Sequence, residues 1–242
     1  MTDSQESQTF VLVHGAWHGG WCWTRVARAL RALGHTVYTP TQTGLGERSH
    51  LLGKLPIGLD TFVRDIENVL HWEDLHDVVL VGHSFGGLAI TGVAESMPQR
   101  LRRLVYLDAF ILGNGVSTFD TLPPALVEKL RAAAQTSCQG LGVPPPRPAS
   151  LGLEREADTQ FVAARLTPQP LGVYESSLRL DKPIGNGLPC AYWHCTAPSF
   201  AALEGARQWA RAQADWEWRE LATGHDAMVS APELVVKHLL DM

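Results

Sequence analysis

The sequence predicts an α/β fold, a mostly parallel sheet flanked by helices, on three observations. Short β-branched runs alternate with longer helix-like stretches, several of those runs are apolar almost throughout, and one long segment breaks the alternation late in the chain. Runs that are apolar throughout are what strands buried on both faces require. With 242 residues, the chain accommodates one core plus an insertion and leaves little room for a second independent domain.

Thr9 to His14 (TFVLVH) is the first strand candidate, followed by a helix-like stretch from Gly20 to Leu33. Thr36 to Thr39 (TVYT) is the second strand. In the next helix, Gly58 to Trp72, the residues Phe62, Ile66, Val69 and Leu70 recur at helical spacing, and Asp60 can cap the start. Asp77 to Gly82 (DVVLVG), a helix from Phe85 to Met97, and Leu101 to Asp108 (LRRLVYLD) continue the alternation. Composition then shifts: PPALVEKLRAAAQ suggests a short helix, whereas VPPPRP cannot be regular because successive prolines remove donors and fix φ. Residues 112–187 are therefore expected to form a cap inserted into a core made of residues 1–111 and 188–242. Leu188 to Cys195 (LPCAYWHC) and Trp216 to Leu221 (WEWREL) supply the last two strands, with helices over Phe200 to Gln213 and from Ala231 onward. An insertion between two parallel strands lies at the carboxyl edge of the sheet, where open α/β folds bind ligands.

Composition excludes several classes. A net charge of -5 without a basic run gives nothing to attract a phosphate backbone. The polar, acidic start MTDSQESQTF lacks the features of a secretory signal, and no apolar run is long enough to span a membrane, so a cytoplasmic protein is expected. Cys22, Cys138, Cys190 and Cys195 match neither zinc nor redox spacing and are expected to be reduced. An odd separation places Cys190 and Cys195 on opposite faces of one strand.

The strongest local signal is Gly82-His83-Ser84-Phe85-Gly86, a G-x-S-x-G sequence directly after an apolar strand and directly before a helical stretch. That context marks a sharp turn that lifts the Ser84 hydroxyl into a cleft, with the unsatisfied N–H of Phe85 behind it. His14-Gly15-Ala16-Trp17, after the first strand, stands where the second oxyanion-stabilising N–H belongs, which assigns that N–H to Ala16. His14 itself reads as a hydrogen-bonded support. In LATGHDAMVSAP, His225 occupies a polar turn after the last strand and is the expected base, because a serine hydroxyl needs an imidazole to take its proton.

The base needs a carboxylate, usually from the loop after the next-to-last strand. Here that loop is Cys195-Thr196-Ala197-Pro198-Ser199-Phe200 and holds none. Asp108, at the end of LVYLD and beside the nucleophile strand, is the favoured substitute; Glu204 and Asp215 are lesser alternatives, and a structural cap is the competing role for Asp108. Asp226 is set aside, since neighbouring side chains seldom meet in the required geometry. Trp17, His18, Trp21, Phe110 and Trp193, with the Phe85 ring, are candidate substrate-pocket walls, ordinary packing being the alternative for each.

The segments HGAWHGGWCW, GLGERS, VLVGHSFGG and TGHDAM, together with Leu166-Thr167-Pro168-Gln169-Pro170, closely resemble the plant methylesterase and hydroxynitrile lyase branch of the α/β-hydrolases and its bacterial esterase relatives. The resemblance runs nearly end to end. It implies the α/β-hydrolase fold with a six-stranded core and a small cap before the next-to-last strand, and ester substrates with compact or aromatic acyl parts. It carries over Ser84, His225, Ala16 and Phe85. It fails for the acid, which the plant methylesterases carry near Ala197 and Pro198. The lyases have a Lys after the catalytic His, where this chain has Asp226, which disfavours lyase chemistry.

The expected function is therefore a cofactor-free serine hydrolase of small, aromatic carboxylic esters, with carbamates and activated amides as variants. It needs no metal, nucleotide or flavin. Two other classes stay open: a lyase or cofactor-free oxygenase that uses the His225 base, and a binding protein that has lost turnover. The expected partners are a small-molecule ester and, at most, a second copy of the chain in a homodimer; no nucleic acid or membrane is expected.

Overall fold

The computed structural model describes residues 7–242. The polar segment read for the absence of a secretory signal lies, in residues 1–6, outside the described residues.

Six strands, β1 (Thr9–Val13), β2 (Thr36–Tyr38), β3 (Val78–His83), β4 (Leu101–Leu107), β7 (Cys190–Cys195) and β8 (Glu217–Leu221), form one sheet in the order β2-β1-β3-β4-β7-β8. β5 (Gly142–Val143) and β6 (Gln169–Pro170) pair antiparallel outside it. Every neighbouring pair in the large sheet is parallel, so all six carboxyl ends reach one edge. Each predicted strand is present with its bounds moved by at most two residues.

Strand alternation divides the core into two layers. Val11, Val13, Leu80, Leu104, Tyr106 and Tyr192 face one cluster, shared with α2 (Leu59–Trp72) and α3 (Gly86–Ser96). Phe10, Leu12, Val79, Val81, Val105 and Trp193 face the other, shared with α1 (Thr24–Ala32) and α9 (Pro232–Leu240). The amphipathic helices α1 and α2 bury one stripe each, Val26, Ala27 and Leu30 in the first and Leu59, Phe62, Ile66 and Leu70 in the second. By contrast, α3 is buried from Gly86 to Ala94, because α2 covers the side that the sheet leaves open. Cys190 falls in the first layer and Cys195 in the second, and all four cysteines are free.

Several helix starts differ from expectation. Gly20 begins a short 3-10 turn, Gly20–Trp23, instead of α1; its N–H donates to Thr41 Oγ1 at 2.8 Å, which draws the chain toward the loop after β2. Gly58, not Asp60, caps α2, where Ser176 Oγ accepts the Leu59 N–H at 2.8 Å. The stretch predicted from Phe200 is a 3-10 turn, Ala201–Leu203, before α7 (Glu204–Arg211), and a short α8 (Ala227–Ser230) precedes α9.

Between β4 and β7 lie α4 (Pro124–Cys138), β5, α5 (Glu156–Ala163), β6 and α6 (Leu171–Glu175). The first was legible, and the proline run lies in irregular chain between β5 and a 3-10 turn at Pro148–Leu151. α5 was missed because its buried side chains are only Asp158 and Val162, too few for a hydrophobic period; Asp158 is held instead by Arg25 and Arg155, each at 2.6 Å. Among the described residues, no helix is long and apolar enough to cross a membrane.

Candidate active site

Ser84 stands between β3 and α3 with φ of 52°, a left-handed conformation that costs a non-glycine residue of order 1–3 kcal/mol. Neighbouring backbone enforces it. The Ser84 N–H donates to the Leu107 carbonyl at 3.2 Å, and its own carbonyl accepts the N–H groups of Gly87 and Phe110, both at 3.0 Å. Gly86 must be glycine, since a Cβ there would stand 2.8 Å from the carbonyl oxygens of both Val13 and His14. A Cβ on Gly15, on the other side, would stand 2.7 Å from the Ser84 Cβ. Ser84 is thereby fixed against the first loop and the end of β4 at once.

Asp108 follows β4 and is also left-handed, with φ of 40°; its N–H donates to Trp193 at 2.7 Å. This bend aims the side chain across the sheet edge, where Oδ2 accepts from His225 Nδ1 at 2.7 Å. Oδ1 accepts the Cys195 N–H at 3.3 Å, and the Arg207 guanidinium lies 3.9 Å away. A fully buried carboxylate is thus supplied with an imidazole, an amide and a nearby cation. Glu204 is turned toward Arg207 at 2.9 Å on the surface. The loop after β7, which has no carboxylate, contributes Phe200 instead, whose ring stacks on the His225 imidazole with centroids 4.2 Å apart.

Among the supporting groups not legible in sequence are Phe200, Arg207 and His83. His83 Nε2 donates to the His225 carbonyl at 3.0 Å, and the two rings lie 4.6 Å apart, so the residue before Ser84 holds the loop that carries His225. The only early signal was its place in the G-x-S-x-G turn.

The opposite wall is the loop after β1. Among the described residues, neither the Ala16 nor the Phe85 N–H donates to a protein acceptor. The Trp17 N–H donates to Gln169 Oε1 at 3.1 Å, its ring N–H to the Val143 carbonyl at 3.1 Å, and its carbonyl accepts from Thr167 at 2.9 Å. The β5 and β6 region therefore clamps this loop. His14 is the support expected, with Nδ1 donating to Gly15 at 2.8 Å and Nε2 accepting from Gln42 at 3.0 Å.

Two expected pocket walls are corrected. Trp193 is wholly buried in the second core layer, 5.6 Å from His238, because its place on β7 directs it to the face opposite Phe85 and Phe110. His18 is buried as well: Nδ1 meets the Ala16 carbonyl at 2.7 Å and Nε2 meets Asp226 at 3.1 Å, which leaves no ring nitrogen for a ligand. Trp21 stacks on His18 at 5.2 Å and meets Phe161 of α5 at 5.5 Å. Phe110 packs on Phe85 at 4.9 Å, Phe85 on Tyr174 at 4.8 Å and Tyr174 on Phe119 at 5.3 Å, and all four rings belong to the first core layer beside the Ser84 turn. Those last two aromatics come from the segment between β4 and β7.

Burial pushes His14 down to about 3 and His83 well below the ordinary histidine value, the charges of nearby histidines adding to it. In the unfolded chain both take up a proton near pH ~6.5, which the folded protein refuses. Stability is therefore lost as pH falls from there toward 3, by about 5 kcal/mol for His14 alone at the end of that window. His18, raised by Asp226 against its burial, contributes fully below pH ~6.5 and does not offset this acid-side loss. The urea midpoint is expected to drop between pH 7 and pH 5; a midpoint that rises over that range contradicts the assignment of two buried neutral rings.

His83, His225 and Asp226 each offer a ligand atom within 4.8 Å of the others, the one group of this kind among the described residues. Two of its ring nitrogens are already spent, His225 Nδ1 on Asp108 and His83 Nε2 on a carbonyl.

A family model described as the alpha/beta hydrolase family matches residues 10–238. The chain belongs to the alpha/beta hydrolase family. This hydrolase is 38% identical over 245 residues to the carbendazim hydrolyzing esterase of Nocardioides sp. (strain SG-4G), covering 95% of this chain and 97% of that protein. It is 33% identical over 150 residues to methylesterase 2 of Arabidopsis thaliana, a match to 56% of this chain and 50% of the plant protein. Among solved structures, an extracellular alpha/beta-hydrolase from a Paenibacillus species superposes with a TM-score of 0.81 at 25% identity, over 97% of this chain and 98% of that one. The hydrolase is a carboxylesterase-type enzyme.

Proposed function

We propose that the hydrolase cleaves small aromatic esters and carbamates through an acyl-enzyme on Ser84, with His225 as general base and Asp108 as its orienting acid. The observation that carries the reading is the 2.7 Å contact between His225 Nδ1 and Asp108 Oδ2, which fixes the proton on Nδ1 and leaves Nε2 as the acceptor. His225 Nε2 takes the Ser84 proton as Oγ bonds to the acyl carbon, and the carbonyl electrons move to an oxyanion held by the N–H groups of Ala16 and Phe85. The tetrahedral species collapses, the bond to the leaving oxygen breaks, and His225 returns its proton to that oxygen. Water then adds with His225 again as base; the bond from carbon to Oγ breaks, and the proton goes back to Ser84.

The substrate class rests on the cluster of packed rings, Phe85, Phe110, Phe119 and Tyr174, beside the Ser84 turn and on the relative named for hydrolysing carbendazim, an aromatic carbamate. Residues 112–187 act in this reading as the cap that closes the acyl side. A panel of p-nitrophenyl acetate, methyl benzoate, methyl cyclohexanecarboxylate and a methyl N-aryl carbamate tests it. Turnover is expected for the acetate and for at least one aromatic methyl ester or carbamate, with aliphatic esters of equal size cleaved more slowly. Aliphatic preference, or no turnover of any member, overturns it.

A further inference from the structure

We infer that His18 is a positioning residue for the oxyanion hole: it ties the Ala16 carbonyl to the Asp226 carboxylate, so that the loop donating the N–H and the loop carrying the base are held in one register. The inference rests on the Ser84 reading above and adds a residue whose expected role was substrate contact. Two distances carry it. His18 Nδ1 stands 2.7 Å from the Ala16 oxygen and Nε2 stands 3.1 Å from Asp226 Oδ2. Both partners are acceptors, so a ring that satisfies both carries two protons and is an imidazolium beside a carboxylate. Burial alone would lower the His18 value, but the Asp226 charge holds it above the ordinary one; burial would raise Asp226, but His18 foremost, then His83 and His225, hold it below. The ring is kept in plane by stacking on Trp21 at 5.2 Å and by the edge of His83 at 6.2 Å. Asp226 is rigid in turn, its N–H donating to Leu151 at 3.1 Å and its carbonyl accepting from Val229 at 2.9 Å. Because Asp226 directly follows His225 in the chain, a shift in the His18 link moves the Ala16 amide relative to the base.

Such a link matters only when charge develops on the substrate oxygen, so its loss should lower kcat and spare ground-state binding. The test uses His18→Phe, which keeps an aromatic ring on Trp21 and removes both bonds, and Asp226→Ala, which breaks the same link from the other end if the first variant folds poorly. With p-nitrophenyl acetate, kcat is expected to fall roughly 10- to 100-fold with KM within about threefold of the wild type. Affinity for an arylboronic acid, which forms a tetrahedral adduct on serine, should fall in the same proportion as kcat/KM. A kcat within about twofold of the wild type in a folded variant, or a loss confined to KM, overturns the inference. Ser84→Ala measured alongside separates the two ideas. If that variant binds the boronate as tightly as the wild type, the Ser84 reading fails and the link with it; if boronate binding needs Ser84 but is undiminished in His18→Phe, the link alone fails.

Discussion

Ser84→Ala is expected to lower ester turnover by a factor on the order of 10³ to 10⁶ while leaving the melting temperature within a few degrees of the wild type. The hydroxyl makes no hydrogen bond to another described group, and the strained turn around it is fixed by backbone contacts to Leu107, Gly87 and Phe110, none of which needs Oγ. Removing one oxygen therefore deletes the proposed nucleophile and keeps the backbone of the turn. Residual hydrolysis should come from direct addition of water to the ester, with the Ala16 and Phe85 N–H groups stabilising the oxyanion that forms on the substrate carbonyl. Near-normal turnover in this variant would move the chemistry to a mechanism in which His225 acts directly on substrate.

The second large effect is expected for Asp108→Asn, roughly 10³- to 10⁴-fold in kcat with little change in KM. The environment of this side chain dictates why. The Cys195 N–H donates to Oδ1, so an amide at position 108 must keep its oxygen there and turn its NH₂ toward His225 Nδ1. That nitrogen would then accept a hydrogen bond, the proton would sit on Nε2, and the ring would be unable to take a proton from Ser84. Asn also removes the charge that lies 3.9 Å from the Arg207 guanidinium, so a modest loss of stability accompanies the loss of rate. Turnover and thermal unfolding measured on the same preparation separate the two. Activity within tenfold of the wild type means that another group orients the imidazole.

What was readable in the sequence follows the range of the interactions. The strand runs, the tight turn at Ser84 and the loop with His225 are local patterns, and their composition alone fixes where they stand. Asp108 was legible by a weaker argument, that a charge at the end of an apolar strand must be paired, and the structure brings it to His225. Phe200, Arg207 and Gln169 were not legible, because each works through a contact with a residue far away in the chain: a ring over His225, a cation beside Asp108, an amide under Trp17. His18 and Trp193 were misread for the complementary reason. Both residue types suit a pocket wall, and only the register of β7 and the position of Asp226 turn them into the core. The short α5 escaped because its buried position is a charged one, Asp158, satisfied by two arginines.

The absence of an acid after β7 is compensated in a connected way. Phe200 stacks on the His225 imidazole, and Arg207 of the next helix donates to the Phe200 carbonyl at 3.0 Å while its guanidinium lies 3.9 Å from Asp108.

In the proposed mechanism Ser84 becomes covalently attached to the acyl group, and covalent capture measures that attachment directly. Incubation with an aryl dialkyl phosphate, followed by mass mapping of the digested chain, should find one dialkylphosphoryl group per molecule, on Ser84, appearing in step with loss of esterase activity. Activity that survives with Ser84 unmodified, or inactivation that maps to another residue, would contradict it.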